Sequence, residues 1–268
     1  GQPVETHTNG SWAAEDYMTA IELAIANHPE TKDIRHTFIH GQMEERQIVE
    51  RSVGKYDELN TTANMYTDLS GTARVEGFDT DANGKQWTAS DLRAALKNGQ
   101  LIKEQNLASS YFINHTYFWG DRHLEIYMGP GRGKQQNPQG WAAAYGHYFT
   151  SHNDSPVTPI SALRSIQSSV TRTSTGGQLL SGSSTDLNAK AMYPETKGGT
   201  EREFWDFDQR INPLQAIHAV TIGPAYQNHL EPLIGSIEEG KLADFVILDK
   251  NPIDVAASAP LTIQDLRV

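Results

Sequence analysis

Hydrophobic and polar positions near the start of the chain follow two periods in turn. Residues 3–7 (PVETH) form a short strand-like stretch, and residues 12–27 place apolar side chains three and four positions apart, as an amphipathic helix does. A second strand at 36–40 and a second helix at about 43–56 repeat the unit after about 33 residues. This rhythm predicts βα units around a parallel sheet, with Ser11 capping the first helix.

The same two periods continue through the rest of the chain. Further strands are predicted at 109–114, inside 141–154 and at 244–249 (DFVILD), and helices at 90–105, 160–172 and 212–226. The last of these reads as two short helices, with Asn212 as cap and Pro213 at the first helical position. Residues 53–87 and 174–208 are polar and read as insertions, and the Gly-rich residues 129–140 read as a loop.

Composition narrows the class of protein and of partner. The 268 residues are 37% hydrophobic and carry a net charge of -11 without any cluster of Lys or Arg, so we expect no nucleic-acid partner. No apolar run reaches the roughly 18 residues of a membrane span, and the first ten residues lack the pattern of a signal peptide, so we expect a cytoplasmic protein without a membrane partner. With no cysteine and ten histidines, any metal must be held by His and carboxylate.

Titratable residues follow the ends of the four predicted strands of the sheet. The first ends at His7, the second at His40, the third at Asn114 and His115, and the fourth at His152, Asn153 and Asp154. In a barrel of parallel strands these ends share one face, where histidines and an aspartate can converge on one zinc-like ion. A single histidine at a strand end is more often a hydrogen-bonded structural residue, so the residues alone leave both interpretations open.

Five motifs then occur in order: VETHTNG, FIHGQM, FINHTYFWGDRH, SHNDSPVTP and GSIEEGKLADFVILDKNP. Together they resemble the amidohydrolase superfamily, in the branch called amidohydrolase family 3. The resemblance implies an α/β fold that is an incomplete TIM (β/α)₈ barrel, about strands 5 to 8, and metal-dependent hydrolysis of an amide or other non-peptide C–N bond. It divides the chain into residues 1–230, the half-barrel, and 231–268, a segment returning to a small β-sandwich domain.

The resemblance also implies roles for single residues. His7 and His40 match metal ligands after the fifth and sixth barrel strands, and Asp154 matches the general base after the eighth, which is often a ligand too. The other matches, implied as substrate-binding or supporting residues, are Asn114, His115, Trp119 and Asp121. The implied cofactor is a divalent metal, most simply zinc, and we expect the rings of His7 and His40 within about 5 Å of each other. His152 is expected to be structural, and His123 to be either a surface residue or a ligand contact.

The chain departs from the family pattern in two ways. It lacks the His-x-His pair after a first strand and the Lys or acidic ligand after a fourth. It also has four βα units where a full barrel of about 250 residues has eight. We therefore expect this chain to be the C-terminal half of an enzyme and to be inactive alone. Its expected partners are a small-molecule substrate and either the missing N-terminal half or a second chain. Further copies of the chain could also associate as a homo-oligomer. The alternatives are a non-catalytic binding or assembly module and an unrelated barrel hydrolase without metal.

Overall fold

A four-stranded parallel sheet organises the molecule. The structure is a computed structural model that describes residues 2–56, 80–195 and 199–268. The strands β1 (Glu5–His7), β2 (Thr37–His40), β3 (Ala108–Tyr111) and β4 (Tyr148–Ser151) lie in the order β1-β2-β3-β4, and each pairs in parallel with the next. The predicted parallel sheet is confirmed, although residues 112–114 lie outside the third strand and Asn114 is the first residue of a helix.

Short helices connect and surround these strands. In chain order they are α1 (Ser11–Asn27), α2 (Arg46–Ser52), α3 (Ala89–Ala95), α4 (Gln100–Lys103), α5 (Asn114–Phe118), α6 (Gly120–Arg122), α7 (Gly129–Gly133), α8 (Gln139–Tyr145), α9 (Ala162–Thr171), α10 (Pro213–His218), α11 (Ile222–Gln227) and α12 (Pro252–Ser258). A π-helical turn covers His123–Tyr127, and a 3₁₀ helix covers Pro260–Asp265. An antiparallel hairpin, β5 (Lys190–Pro194) and β6 (Glu201–Trp205), lies within the predicted insertion 174–208. None of the helices in the described part of the chain has the length and apolar character that a membrane crossing needs.

The helix ends test the predicted caps. In α10 the Asn212 side chain accepts from the backbone N–H of Gln215, and the Gln215 side chain accepts from the backbone N–H of Asn212, so the predicted cap is confirmed. The prediction for Ser11 is wrong, because Ser11 is already the first helical residue and Gly10 occupies the cap position without a side-chain bond. The N-terminus of α10 is therefore capped by a side chain as predicted, whereas the N-terminus of α1 has only backbone hydrogen bonds at its cap.

The core lies between the sheet and the helices of one face. Phe38 of β2 is fully buried against Met18 and Ile21 of α1 and against Leu92 and Leu96 around α3. Alternate residues of a strand point to opposite faces, so the neighbours of Phe38 along β2 point away from these helices. A fully buried ion pair between Arg51 and Glu22, 2.7 Å long, joins α2 to α1 within this layer.

The opposite face of the sheet curves inward. Gln227 of α11 donates to Glu5 of β1 at 2.7 Å and accepts from Thr150 of β4 at 2.8 Å. One glutamine side chain therefore bridges the two outer strands of the sheet, which a flat sheet with strands about 4.8 Å apart would not allow. The four-stranded sheet is therefore curved, with Glu5 and Thr150 on its concave face.

Two predicted elements differ from the structure. Residues 129–140, predicted as a loop, contain α7, where Gly131 lies directly under the ring of Phe204 of β6, too close for any Cβ. The predicted strand at 244–249 is wrong, because these residues take no strand conformation and Phe245 and Ile247 are 64% and 75% exposed. A strand needs a neighbouring strand for its backbone groups, and no described strand pairs with this segment, although the backbone N–H of Asp249 bonds to the Arg267 carbonyl at 2.9 Å. Most of the insertion at 53–87 lies outside the described residues.

A buried carboxyl beneath the sheet gives a testable property of the fold. Glu44 is 1% exposed, and its Oε1 accepts from Ser109 Oγ at 2.9 Å, while the same hydroxyl lies 2.8 Å from His147 Nε2. Burial raises the pKa of Glu44 to about 7, against 4.5 for an ordinary glutamate. Between these values the unfolded chain has released the proton that the folded protein still holds, so stability falls as pH rises.

We predict that Glu44→Gln removes this pH dependence. Relative to the variant, the wild type should lose up to about 3 kcal/mol of unfolding free energy between about pH 4.5 and pH 8. Urea denaturation of both proteins across this range measures the difference, and Glu239→Gln, at an exposed glutamate, serves as the control. A difference that stays constant with pH would show that Glu44 titrates normally.

Candidate metal centre

His40, the last residue of β2, points toward the concave side of the sheet. His40 has φ 70° and Gly41 has φ 49°, so two successive residues in the left-handed region end the strand. Glycine is required at position 41, because a Cβ there would meet the Tyr111 ring at 2.8 Å. His40 is 5% exposed, and its ring lies among the rings of His7, Phe112 and His152.

Three possible metal ligands meet at this point. His40 Nδ1 lies 3.0 Å from His152 Nε2, and a carboxylate oxygen of Asp154 completes a group whose ligand atoms all lie within 4.8 Å of one another. The ring centroid of His7 is 4.8 Å from that of His40, in agreement with the expected separation. His7 is exposed and belongs to the rim of this group rather than to its three-residue centre.

The donor set fits a divalent cation of the zinc type. Two nitrogens bound to one tetrahedral zinc at roughly 2.0–2.1 Å would lie about 3.3 Å apart, close to the separation of the two histidine nitrogens. Burial lowers the pKa of His152 to about 3. Burial also lowers the pKa of His40, although the Asp154 charge acts in the opposite direction. Both imidazoles are therefore neutral at physiological pH, which is the form that binds a metal.

A hydrogen-bond frame fixes the segment that carries His152 and Asp154. The side-chain oxygen of Asn153, which stands between them, accepts from Asn114 Nδ2 at 2.9 Å and from Ser165 Oγ at 3.2 Å. It also accepts from the backbone N–H of Ser161 at 3.3 Å, at the N-terminus of α9. Asp154 itself has φ 50°, so the strand alternation ends there and the carboxylate direction depends on this frame.

The residues after β3 divide into two groups. His115 and Trp119 lie beside the cluster: the His115 ring is 6.2 Å from that of His40, and Trp119 packs edge-on against His115 at 5.6 Å. Asn114 is fully buried and bonds to Asn153 and Ser168, and Asp121 accepts from Ser174 Oγ at 2.6 Å and from Gly176 N at 3.0 Å. The hydrogen bonds of Asn114 and Asp121 therefore connect separate segments of the fold.

Sequence reasoning expected His152 to be only structural. The structure does give it a hydrogen bond, because Ser110 Oγ lies 2.9 Å from its Nδ1, but its Nε2 faces His40. Its position directly after a strand of the predicted parallel sheet, beside Asp154, was the available signal, since the ends of such strands share one edge. His123, for which two roles stayed open, is 8% exposed and lies 5.8 Å from His115 between ring centroids.

A cleft of about 650 Å³ is lined by segments that follow His7 and His40 in the chain, although His40, His152 and Asp154 do not line it themselves. Its walls include residues 10–12, which follow His7, and residues 43–46, which follow His40. Three residues of chain span at most about 11 Å, so the cleft begins within that distance of the two histidine backbones. Trp12 and Tyr127, which are 76% and 64% exposed, line it together with charged side chains that include Arg46, Arg132 and Lys190.

Comparisons with known proteins agree with this description. The chain is 48% identical to the imidazolonepropionase of Treponema denticola over 48 residues, which are 18% of this chain and 12% of that protein. It is 44% identical to the imidazolonepropionase of Streptococcus sanguinis over 48 residues, again 18% of this chain and 11% of the relative. The chain therefore matches about a tenth of the length of these curated relatives.

A solved structure shares the fold over almost the whole chain. The crystal structure of an uncharacterized metal-dependent hydrolase from Pyrococcus furiosus aligns with a TM-score of 0.51 at 14% identity, covering 94% of this chain and 34% of that one. This chain thus spans about a third of the solved protein. A model of the amidohydrolase family matches residues 100–265, which is more than half of the chain and includes His115, His152 and Asp154. The chain belongs to the amidohydrolase family, in the branch called amidohydrolase family 3.

Proposed function

We propose that this chain is the C-terminal half of a metal-dependent hydrolase that cleaves an amide or another non-peptide C–N bond. The observation that carries the proposal is the meeting of His40, His152 and Asp154 at the carboxyl edge of a parallel sheet, in a chain of this family. In barrel enzymes that edge is where catalytic residues from several strands converge. We also propose that the four strands β1 to β4 correspond to about strands 5 to 8 of a (β/α)₈ barrel.

Each residue of the centre has a chemical role in this proposal. His40 and His152 would hold a divalent cation, most simply zinc, together with Asp154, and His7 stands close enough to join them. When bound, the cation supplies Lewis-acid chemistry that polarises the scissile bond and acidifies water. Asp154 accepts a proton from the attacking water and returns it to the leaving nitrogen. His115 and Trp119 bound the space beside the ligands, where water must be limited.

The substrate is a small molecule. The cleft that begins a few residues after His7 and His40 has room for such a molecule, and it offers the aromatic surfaces of Trp12 and Tyr127 together with charged groups. The matches to imidazolonepropionases support a small-molecule substrate.

The chain needs a partner that completes both the barrel and the site. Among the described residues β1 and β4 each pair with another strand on one side only, and on the other side of β4 the backbone N–H of Ser151 bonds to the Ala219 carbonyl at 2.8 Å. The apolar segment 242–247, in which Leu242, Phe245, Val246 and Ile247 are 60–75% exposed, also has no described strand to pair with. We propose that further residues of the same protein, or a second chain, cover these surfaces and supply the remaining ligands.

We predict that Asp154→Asn, in the natural protein that contains this chain, lowers turnover of an amide substrate by about 10²–10⁴-fold while the protein stays folded. The substitution keeps the shape of the side chain and removes its basicity. Steady-state kinetics with circular dichroism measures both properties, and Asp16→Asn, at an exposed carboxylate of α1, is the matched control. Retention of more than about a tenth of the activity, outside that range, would exclude Asp154 as the base.

We also predict that residues 1–268 on their own self-associate, because exposed strand edges and apolar segments pair with other chains. Ile247→Lys should lessen the association, since a charge opposes apolar contact, whereas Ala257→Lys on the exposed face of α12 should not. Sedimentation velocity measures the size of each species. A monomer that unfolds cooperatively would argue against a missing partner.

A further inference from the structure

A serine on the central part of the sheet makes one hydrogen bond that the proposed chemistry has not used. Ser110 of β3 is 5% exposed and lies between Ile39 of β2 and Thr150 of β4 in the strand register. Its Oγ is 2.9 Å from His152 Nδ1. The other ring nitrogen of His152, Nε2, is the one that faces His40.

The two nitrogens of His152 therefore have different tasks. A neutral imidazole carries one proton, and only the unprotonated nitrogen can bind a metal. If Nε2 is to bind the ion beside His40 Nδ1, the proton of His152 must stand on Nδ1. A hydroxyl oxygen within hydrogen-bond distance of Nδ1 can accept that proton and favour this tautomer.

We propose that Ser110 is a positioning residue for the metal centre. It accepts a hydrogen bond from His152 Nδ1–H, which holds the ring in one orientation and directs the Nε2 lone pair toward the ion. No bond is made or broken and no proton leaves the histidine. This inference rests on the proposed function, because it assumes that the cluster binds a divalent cation.

The neighbours of Ser110 show that the hydroxyl is specific to this task. Ser109, one residue earlier, faces the opposite side of the sheet and bonds to Glu44 and His147. Thr150, beside Ser110 in the register, donates to Gln227 rather than to a histidine. Of the three hydroxyls, only that of Ser110 contacts a proposed ligand.

Ser110→Ala tests the inference, with zinc as the probe in the natural protein that contains this chain. Supporting hydrogen bonds to ligand histidines typically contribute about 10–100-fold in metal affinity, so we expect zinc affinity by chelator competition to fall by that factor. Thr150→Val, which removes the neighbouring hydroxyl with little change of shape, should leave the affinity within about twofold, far below that range. Ser110→Thr, which keeps a hydroxyl, should recover most of it.

A second measurement reads the tautomer directly and does not depend on any variant folding. In wild-type protein stripped of metal, long-range ¹H–¹⁵N spectra of His152 should show the proton on Nδ1. Finding it on Nε2, or finding equal zinc affinities for Ser110→Ala and Thr150→Val, overturns the role of Ser110. Failure of the wild type to bind zinc at all overturns the proposed metal site instead, so the two failures are distinguishable.

Discussion

The 3.0 Å contact between His40 Nδ1 and His152 Nε2 is the interaction on which the candidate site depends. The two histidines follow strands that are not neighbours, because β3 lies between β2 and β4. They meet because the left-handed backbone at His40 ends β2, while the backbone N–H of His152 bonds to the Tyr111 carbonyl and continues the pairing of β4 with β3. The register of three strands thus determines the distance between the two nitrogens.

Burial then decides the chemistry of that contact. A proton and a divalent cation compete for the same imidazole lone pairs, and desolvation lowers the pKa of both rings, to about 3 for His152. Strand alternation keeps this centre separate from the second buried network, since Ser110 faces the histidines while Ser109 faces Glu44 on the helix side. The strand β3 therefore contacts the histidine cluster through Ser110 on one face and the carboxyl group of Glu44 through Ser109 on the other.

Local patterns predicted the elements well, and contacts between distant segments explain what they missed. The four strands and the position of Asp154 follow from periodicity, because strand ends of a parallel sheet share one edge. Sequence alone could not show which nitrogen of His152 faces His40, nor that Asn114 bonds inside the fold, since both depend on contacts at least 39 residues apart. Residues 244–249 have the composition of a strand, but no described strand lies beside them to pair with.

Anomalous diffraction at the zinc edge, from crystals of the natural protein grown with zinc, tests the central claim most directly. The account predicts one strong peak within roughly 2.0–2.2 Å of His40 Nδ1, His152 Nε2 and a carboxylate oxygen of Asp154. Side chains of the proposed missing half would complete the coordination. A fully occupied zinc bound elsewhere, with His40 and His152 still hydrogen-bonded to each other, would contradict the account.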